Sequence, residues 1–499
     1  MLARVVEDMR VVVIGSGPPG AAAALFLCRA GADVLLLEAG AERASLGLTV
    51  RVRGYTVLKY RRELKRRQNV AATADPSARL FEDLAPGGLS NHWSCAVPRF
   101  APEDFEDAER AGEAFMWPIG YDDVAPWYDR VEPLLHVAGP SQTYEQLPRG
   151  NFQRIRRLNS DWSPLVSGAE RYGRTLAPMP YAYGAETTVT LSGTVFNSFV
   201  RLIQPELRAK RLSIRFNARV TRLEWSRDRR RVVAVVFRDE KAGTENRVPC
   251  RAVVVAAGAI RSAEILLSSA CTDFPEGLGN GHGVLGRYLH DHPLGKLVID
   301  VAKPMPIHPA CYLTRPTLGQ APPLYAAACM QWTGIEMVAR SILDRTPGKL
   351  PWLGFNVFGT MAPSKGDFVA LDGAADGDPG RRKLILHIRH PPDAARALEK
   401  ARDDLTEILR GAGARPTVRM WNVEPPCNSV HYGGTCRMHA SPHFGVVDSW
   451  SRVHGVPNVV VADSSVFTTG PEKNPVLTSM ALAARAGDRL AQEMRSGDI

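Results

Sequence analysis

The 499-residue sequence lacks the patterns that mark several special classes of protein. Its eight cysteines stand singly, without a CxxC pair or a zinc-ligand spacing, so we expect free thiols in a reducing compartment. No stretch has the composition of a secretory signal, and polar residues interrupt the apolar run 11–37, so no membrane span is predicted. These absences favour a cytoplasmic protein, or one exported by a route that the sequence does not show.

The excess of positive charge does not indicate nucleic-acid binding. Lys and Arg number 62 and Asp and Glu number 52, which gives a net charge of +10. The densest basic runs, 61–67 and 227–231, contain no interleaved aromatic residues and match no nucleic-acid motif, so solvated surface is the simpler interpretation. A chain of this length, with 45% hydrophobic residues, is predicted to fold as two globular lobes that are interleaved in sequence.

The N-terminal region has the pattern of a dinucleotide-binding unit. A β-branched strand is predicted over 9–14, followed by the loop Gly-Ser-Gly-Pro-Pro-Gly at 15–20, a small-residue helix that ends at Gly31, and a second strand over 34–37. The spacing GxGxxG stands in this strand–turn–helix context, and the acidic Glu38 follows 18 residues after the last glycine. Together these features indicate that a dinucleotide binds here.

Each residue of this motif has a distinct expected role. Gly15 makes the turn, Gly17 allows a pyrophosphate to approach the backbone, and Gly20 allows the helix to pack closely against the strand. The helix N-terminus offers unpaired N–H groups to the phosphates. Glu38 is expected to accept hydrogen bonds from the ribose hydroxyls, which favours NAD or FAD over NADP.

Further elements are predicted from hydrophobic periodicity and from turn residues. Helices are expected over 121–135, 260–269 and 392–411, and from Pro475 onward. A single strand is expected over 213–224 with a hairpin partner over 231–238, and buried strands are expected over 253–255 and 458–463.

Several segments together resemble the glucose–methanol–choline (GMC) flavoprotein oxidoreductases. Besides the N-terminal motif, they are WPIGYDDVAPWYDRVEPLLHVAG (117–139), VVVAAGAIRSAEILLSS (253–269), GRYLHDHP (286–293), HYGGTCRM (431–438) and NPVLTSMALA (474–483). Within the family, the segment GGLSNHWSCAVPRF (87–100) is most similar to pyranose oxidases and bacterial glycoside 3-oxidases. The resemblance implies that the cofactor is FAD.

The resemblance also implies a fold of mixed α/β and α+β character, similar to that of p-hydroxybenzoate hydroxylase. A Rossmann-like FAD-binding domain is expected from residues 1–100, 190–295 and 425–499. A substrate-binding domain built on a mainly antiparallel sheet is expected from residues 101–189 and 296–424. A loop within 305–355 is expected to cover the substrate.

In the enzymes that this chain resembles, the segment matching 87–95 runs along the flavin. His92 stands where fungal pyranose oxidases bond a histidine covalently to the flavin, but not every bacterial relative need make that bond, so both forms stay open. Ser94 replaces a threonine that lies near flavin N5 in the fungal enzymes. The residues expected to contact FAD are Gly15, Gly17, Gly20, Glu38, Gly88, Ser90, Asn91, His92, Ser94, Val220, Ala257, Asp463 and Asn474.

The resemblance assigns the chemistry to two residues near the C-terminus. His431 matches the catalytic histidine, which as a neutral imidazole takes the hydroxyl proton of the substrate. Asn474 matches its partner, which hydrogen-bonds the substrate oxygen. The sequence His290-Asp291-His292 is interpreted as a turn beside the substrate domain, and no metal site is predicted.

The reaction implied by the resemblance is the oxidation of a secondary ring hydroxyl. A pyranose or an O- or C-glycoside is expected to lose hydrogen at C2 or C3, with hydride passing to flavin N5 and O₂ or a quinone as the final acceptor. The alternatives are another alcohol, such as an antibiotic sugar or a sterol, and a lyase reaction that keeps FAD without redox chemistry. No nucleic acid or membrane partner is expected, and self-association into a homo-oligomer is left open.

Overall fold

The computed structural model describes most of the chain. The described residues are 10–42, 47–52, 55–59, 65–66, 70–72, 75–106, 109, 112–184, 187–306, 311–316, 327–331, 342–347, 349–361, 363–375 and 378–499. The basic run 61–67 and the predicted substrate-covering loop within 305–355 lie partly outside these residues.

Helices and strands of the described residues are numbered here in chain order. The α-helices are α1 (Pro18–Arg29), α2 (Pro102–Glu106), α3 (Tyr121–Leu135), α4 (Ser163–Arg171), α5 (Gln204–Arg208), α6 (Ala259–Leu267), α7 (Pro392–Gly411) and α8 (Val476–Ser496). The first twelve strands are β1 (Val11–Ile14), β2 (Val34–Leu37), β3 (Thr49–Val52), β4 (Tyr55–Lys59), β5 (Lys65–Arg66), β6 (Val70–Ala72), β7 (Phe81–Glu82), β8 (Ala138–Pro140), β9 (Arg154–Arg156), β10 (Leu176–Pro178), β11 (Thr187–Thr190) and β12 (Ser213–Arg215). The others are β13 (Ala218–Ser226), β14 (Arg231–Asp239), β15 (Glu245–Pro249), β16 (Ala252–Val255), β17 (Leu294–Pro306), β18 (Cys311–Leu313), β19 (Ala327–Gln331), β20 (Lys349–Gly359), β21 (Phe368–Ala375), β22 (Asp378–His387), β23 (Thr417–Val423) and β24 (Val459–Val461).

Five strands form a parallel sheet in the order β12-β2-β1-β16-β24. Three neighbouring strands of this sheet, β1, β16 and β24, consist of Val, Ile and Ala residues that are all buried. Such composition is typical of a parallel sheet that is covered on both faces. The strand order reverses between β1 and β16, because β2 and β12 lie on one side of β1 and β16 and β24 on the other. Open α/β sheets bind their ligands at such a reversal.

The prediction of a single strand over 213–224 is wrong. The segment forms two strands, of which β12 joins the parallel sheet and β13 pairs with β14 in a separate antiparallel sheet. The chain turns at Asn217, whose φ of 56° is a left-handed conformation that asparagine adopts more readily than most residues. The alternation of side chains continues across the turn, so periodicity alone does not reveal it. The predicted hairpin with β14 is confirmed.

A second large sheet has six strands in the order β10-β18-β19-β20-β17-β23, and its pairs are antiparallel. Alternate residues of β17 and β20 face opposite sides of this sheet, as the pleat requires. On one side they form a buried core with α4 and α7, which contains Trp162, Leu297, Ile299, Leu353, Phe355, Val357, Leu398 and Leu405. On the other side Leu294, Lys296, Asn356 and Phe358 face a cavity.

The predicted fold class, a Rossmann-like α/β unit combined with a mainly antiparallel sheet, is confirmed. The strands of the parallel sheet fall within 1–100, 190–295 and 425–499, and the six-stranded sheet falls within 101–189 and 296–424 except for the start of β17. The division of the chain into two domains at those boundaries stays a prediction. Among the helices of the described residues, none combines the length and the apolar character needed to cross a membrane.

We predict that Gly20→Ala destabilises the protein. A Cβ at this position would lie 2.2 Å from the carbonyl oxygen of Gly15, so α1 would have to move away from the turn that it packs on. We expect the free energy of unfolding, measured by urea denaturation, to fall by about 1–3 kcal/mol. Gly120→Ala is the matched control, because a Cβ there meets no atom within 4 Å. Equal stability of the two variants would contradict the close packing of α1.

Candidate active site

A cavity of about 640 Å³ runs along the edge of the parallel sheet where its strands end. Its lining includes residues that follow four of the strands: Gly15 and Gly17 after β1, Glu38 after β2, Ala257 after β16 and Asp463 after β24. The cavity continues to the side of β17 and β20 that carries Leu294, Lys296, Asn356 and Phe358. One space therefore connects the parallel sheet with the antiparallel sheet.

The three glycines of the loop after β1 have different surroundings. At Gly15, where φ is 98°, a Cβ would lie 2.5 Å from the carbonyl oxygen of Ala256. Gly20 lies outside the cavity lining and packs on the carbonyl of Gly15. At Gly17 a Cβ would meet no atom within 4 Å, so this residue faces open space in the cavity. Gly17 therefore offers its backbone to a ligand, whereas Gly15 and Gly20 permit the turn.

The Glu38 carboxylate is buried at the cavity wall and already accepts hydrogen bonds from the protein. The donors are Ser16 Oγ at 2.5 Å, the backbone N–H of Ser16 at 3.1 Å and that of Gly40 at 2.8 Å. Ser16 Oγ also accepts a bond from the backbone N–H of Gly87 at 2.9 Å. Ser16 therefore connects the GxGxxG loop with the segment 87–95. Sequence reasoning missed it because the variable positions of the motif require no particular residue.

The segment 87–95 forms one wall of the cavity. Gly88, Ser90, His92 and Ser94 line it, and His92 Nε2 lies 2.8 Å from Asp83 Oδ2. Asn91 is outside the lining, although the sequence analysis expected it to contact the cofactor. Its Nδ2 donates to the same Asp83 oxygen at 3.1 Å, so Asn91 supports the wall from behind by holding the carboxylate that holds His92.

The remaining predicted contacts also lie along this cavity. Val220 and Ala257 line it, at the start of β13 and after β16. The Asp463 carboxylate lines it as well and accepts bonds from the backbone N–H of Gly258 at 3.0 Å and from Ser262 Oγ at 2.5 Å. Burial raises the pKa of Asp463 above its ordinary value, and these donors oppose that shift. Asp463 thus fixes the N-terminus of α6 beside the cavity.

His431 and Asn474, the predicted catalytic pair, meet at the cavity wall. They come from loops 43 residues apart, and Asn474 Nδ2 lies 3.3 Å from His431 Nε2. Both side chains line the cavity. Burial lowers the pKa of His431 to about 4, so its imidazole is neutral at pH 7. A neutral imidazole whose Nε2 faces a cavity can accept a proton there.

Two residues of the HDH segment hold His431 in place, a role that sequence reasoning did not assign. Asp291 accepts bonds from the backbone N–H of His431 at 2.6 Å and from Ser429 Oγ at 2.5 Å. His292 Nδ1 lies 3.2 Å from His431 Nδ1. Burial raises the pKa of Asp291 to about 6 and lowers that of His292. Within the part of the chain that the structure describes, no three His, Cys, Asp or Glu side chains are grouped to hold a metal ion.

The loop that carries Asn474 is anchored by a buried cluster of charged side chains, which includes the neighbouring Lys473. Lys473 Nζ lies 2.6 Å from Asp104 Oδ2 and 3.2 Å from Glu472 Oε1. Arg315 Nη2 lies 3.2 Å from Asp104 Oδ1 and 2.9 Å from Glu103 Oε1. The cluster joins α2 and the strand end after β18 to the loop that carries Asn474. Its members stand far apart in sequence, so no local pattern could have revealed it.

Comparison with known proteins identifies the family. The chain matches two models described as GMC oxidoreductase, over residues 102–294 and 378–483, and one described as FAD binding domain, over residues 8–79. The two GMC matches together span more than half of the chain. The chain belongs to the GMC oxidoreductase family. It is an FAD-dependent oxidoreductase that acts on alcohols, and the open backbone at Gly17 beside the N-terminus of α1 fits the pyrophosphate of that cofactor.

Its curated relatives share about a quarter of their residues with it. A 2-methyl-1,2-propanediol dehydrogenase of Mycolicibacterium austroafricanum is 27% identical and covers 99% of this chain and 96% of its own. A paromamine 6'-oxidase of Streptomyces fradiae is 27% identical, with 97% and 92% covered. A C-glycoside 3-oxidase of Microbacterium trichothecenolyticum is 26% identical, with 82% and 75% covered. At this identity the relatives support the family and leave the substrate to be argued from the site.

The fold of this GMC oxidoreductase also matches solved structures. The pyridoxine 4-oxidase from Mesorbium loti superimposes with a TM-score of 0.64 at 18% identity, covering 97% of this chain and 99% of that chain. Such a likeness establishes the fold alone.

We predict that Lys473→Met destabilises this GMC oxidoreductase strongly. The substitution leaves the fully buried carboxylates of Asp104 and Glu472 without their nearest ammonium group. The expected loss is about 3–5 kcal/mol in the free energy of unfolding, measured by urea denaturation. Lys400→Met is the control, because the Lys400 side chain is 67% exposed, and Asp404, its partner, keeps an ion pair with Arg174; the expected loss is about 1 kcal/mol or less. A Lys473 variant as stable as the control would show that the cluster does not support the loop.

Proposed function

We propose that this enzyme oxidises a secondary ring hydroxyl, at C2 or C3, of a pyranose or of an O- or C-glycoside to the keto-sugar, with O₂ or a quinone as acceptor. One observation carries the proposal. His431 Nε2 and the Asn474 amide, 3.3 Å apart, face the cavity into which the dinucleotide-binding loop also opens. A base and a hydrogen-bonding amide beside the cofactor site are what alcohol oxidation requires.

Asn474 and His431 have different roles toward the hydroxyl group of the substrate. The Asn474 amide hydrogen-bonds the hydroxyl oxygen and orients it toward His431, whose Nε2 takes the hydroxyl proton. Bound FAD would supply the hydride acceptor, so that the alcohol, which gives its proton to His431 and its hydride to the flavin, would become a ketone. After the reaction His431 is an imidazolium and must release its proton before the next turnover.

The far wall of the cavity supports a polyhydroxylated substrate. On β17 and β20, Leu294 pairs with Phe358, and Lys296 pairs with Asn356. The Phe358 ring lies 5.3 Å from the His431 ring, between centroids. Asn356 stands two residues from Phe358 along the strand, a step of about 7 Å. The apolar pair therefore lies beside the base, and the polar pair lies one step away, where the other hydroxyls of a sugar ring would be.

The polar end of this wall is held by a hydrogen-bonded network. Glu424 Oε1 lies 3.2 Å from Lys296 Nζ, and Glu424 Oε2 accepts a bond from Asn428 Nδ2 at 2.7 Å. Lys296 and Asn428 both line the cavity, so their remaining donors can serve sugar hydroxyls. A diol without a ring would leave these groups unused, which is why we favour a sugar.

The relatives' names fit two substrate classes. The C-glycoside 3-oxidase and the paromamine 6'-oxidase support the sugar proposal, and the diol dehydrogenase supports a smaller alcohol as a second candidate. We expect glucose and aryl O- or C-glucosides, mixed anaerobically with the holoenzyme, to bleach the flavin band, and NMR to identify the new carbonyl at C2 or C3. Bleaching by 2-methyl-1,2-propanediol alone would overturn the sugar proposal. Bleaching by none of these compounds would favour the alternative of another alcohol, such as an antibiotic sugar or a sterol.

The electron acceptor and the attachment of the flavin need separate experiments. Stopped-flow reoxidation of the reduced enzyme by air and by benzoquinone distinguishes an oxidase from a dehydrogenase. Acid precipitation of the holoenzyme shows whether His92 is bonded to the flavin, because a covalent adduct stays yellow in the pellet.

We predict that His431→Gln slows flavin reduction by about 100- to 10,000-fold, the usual contribution of a general base. Glutamine cannot accept the proton, but it keeps a polar side chain in the cavity wall. The variant should keep its flavin absorbance, which separates loss of the base from loss of the cofactor. A variant that reduces its flavin at the wild-type rate would remove His431 from the mechanism.

The same assignment predicts the pH dependence of flavin reduction in the wild type. Since burial lowers the pKa of His431 to about 4, the neutral base is present at pH 7 and is lost as the pH falls through that value. The rate should therefore stay nearly constant from pH 8 to about pH 5, fall to about half near pH 4, and approach a tenfold fall per unit of pH below that value. A rate that begins to decrease as soon as the pH is lowered below 7 would assign the base to another group.

A further inference from the structure

We propose that His292 is a positioning residue that sets the proton location, or tautomer, of His431. This inference rests on the proposed role of His431 as the base. His292 is 3% exposed and lies outside the cavity lining, so it cannot contact the substrate. Its Nδ1 lies 3.2 Å from His431 Nδ1, on the side of the His431 ring opposite the proton-accepting nitrogen.

The two rings must share one proton between their facing nitrogens. Two lone pairs at 3.2 Å repel each other, and two N–H groups clash, so one Nδ1 donates and the other accepts. The rings are inclined by 78° with centroids 4.9 Å apart, which lets an N–H in the plane of one ring meet the other ring's nitrogen rather than stack on its face. Each histidine thereby determines the tautomer of the other.

The contact with Asn474 decides the direction of that hydrogen bond. Asn474 Nδ2 lies 3.3 Å from His431 Nε2, and an amide nitrogen can only donate, so Nε2 carries a lone pair. A neutral His431 must then hold its proton on Nδ1 and donate it to His292 Nδ1. This is the tautomer that a base needs, because the lone pair is on Nε2, the ring nitrogen that meets Asn474 at the cavity wall.

The hydrogen bond from His431 Nδ1 to His292 Nδ1 can also remain in place, with the same donor and acceptor, when His431 takes up a proton. Once Nε2 of His431 has gained the substrate's proton, both of its nitrogens carry hydrogen, and only an acceptor can face Nδ1. His292 Nδ1 is already that acceptor, so the bond becomes charge-assisted and strengthens as the positive charge forms. The partner is uncharged, so it orients the base without adding a negative charge that would raise the base's pKa, as a carboxylate would.

The other ionisable groups around the pair do not take this role. Asp291 accepts from the backbone N–H of His431 and from Ser429, not from the His431 ring. The ring of His290 bonds the backbone oxygen of Tyr288 at 3.1 Å through its Nδ1. His390 is near enough to interact electrostatically with His292, and burial lowers its pKa to about 4, so it is neutral as well. His292 is the group that meets the ring of His431 from behind.

The first test reads the tautomer directly in the wild-type holoenzyme. Nitrogen-15 NMR of protein labelled at histidine distinguishes protonated from unprotonated ring nitrogens, and the His431 signals are identified by their loss in His431→Gln. We expect His431 to be protonated on Nδ1 at pH 8 and His292 on Nε2. A resting His431 protonated on Nε2 would overturn the proposal whatever the activity of any variant.

The second test compares variants of His292. His292→Leu removes the acceptor, and we expect flavin reduction to slow by about 10- to 100-fold with an unchanged substrate Kd, because His292 does not line the cavity. The acid limb of the pH profile should move to lower pH, since the imidazolium loses its partner. His292→Asn, which supplies an acceptor oxygen, should recover part of the rate. His443→Leu, at an exposed histidine, is the control and should behave as the wild type.

The outcomes separate this inference from the proposed function. A His292→Leu enzyme with the wild-type rate and the same acid limb, beside an inactive His431→Gln enzyme, would overturn the positioning role alone. An active His431→Gln enzyme would overturn the base itself. If His292→Leu fails to retain FAD, the NMR measurement on the wild type and the His292→Asn kinetics still decide the question.

Discussion

The position of His431, the proposed base, depends on one buried carboxylate, that of Asp291. It accepts bonds from Ser429 Oγ and from the backbone N–H groups of Ser429 and His431, and so ties the loop 429–431 to the segment that leads into β17. Val430, in the middle of this loop, has a φ of 60°, a conformation that a β-branched residue rarely adopts and that costs about 1–3 kcal/mol. The bonds to Asp291 offset that strain and thereby aim the His431 ring into the cavity.

The two members of the proposed catalytic pair, His431 and Asn474, lie in contrasting electrostatic surroundings. Around Asn474 the fold buries charges of both signs in contact, and the ion pairs of Lys473 and Arg315 join three separate segments of the chain. Beside His431 it buries the imidazole of His292, whose pKa burial lowers. The first arrangement anchors the loop that carries Asn474, and in the second the buried imidazole of His431 is neutral at pH 7.

Cofactor binding and substrate choice come from different parts of the fold. The cofactor is FAD, and we propose that the loop after β1 and the segment 87–95, which both line the cavity, hold it. The wall made by β17 and β20 contributes Lys296, Asn356 and Phe358, and it belongs to a separate antiparallel sheet. Because the wall made by β17 and β20 belongs to a different sheet from the loops after β1 and β2, we propose that the substrate wall can change while the cofactor site stays the same. Relatives that share a quarter of their residues with this chain are accordingly named for different alcohols.

Local patterns in the sequence determined those elements that depend on interactions between residues close together in the chain. The GxGxxG loop, the buried valine strands, the amphipathic α7 and the hairpin of β13 with β14 follow from backbone conformation and side-chain period, and they were predictable. The turn at Asn217 was missed because the side-chain alternation runs through it. Resemblance to a family supplied His431 and Asn474 but gave no partners for them. Only the tertiary structure brought Asp291, His292 and the Lys473 cluster to that pair, since hydrogen bonds and ion pairs between residues 139 to 369 positions apart leave no periodic trace along the chain.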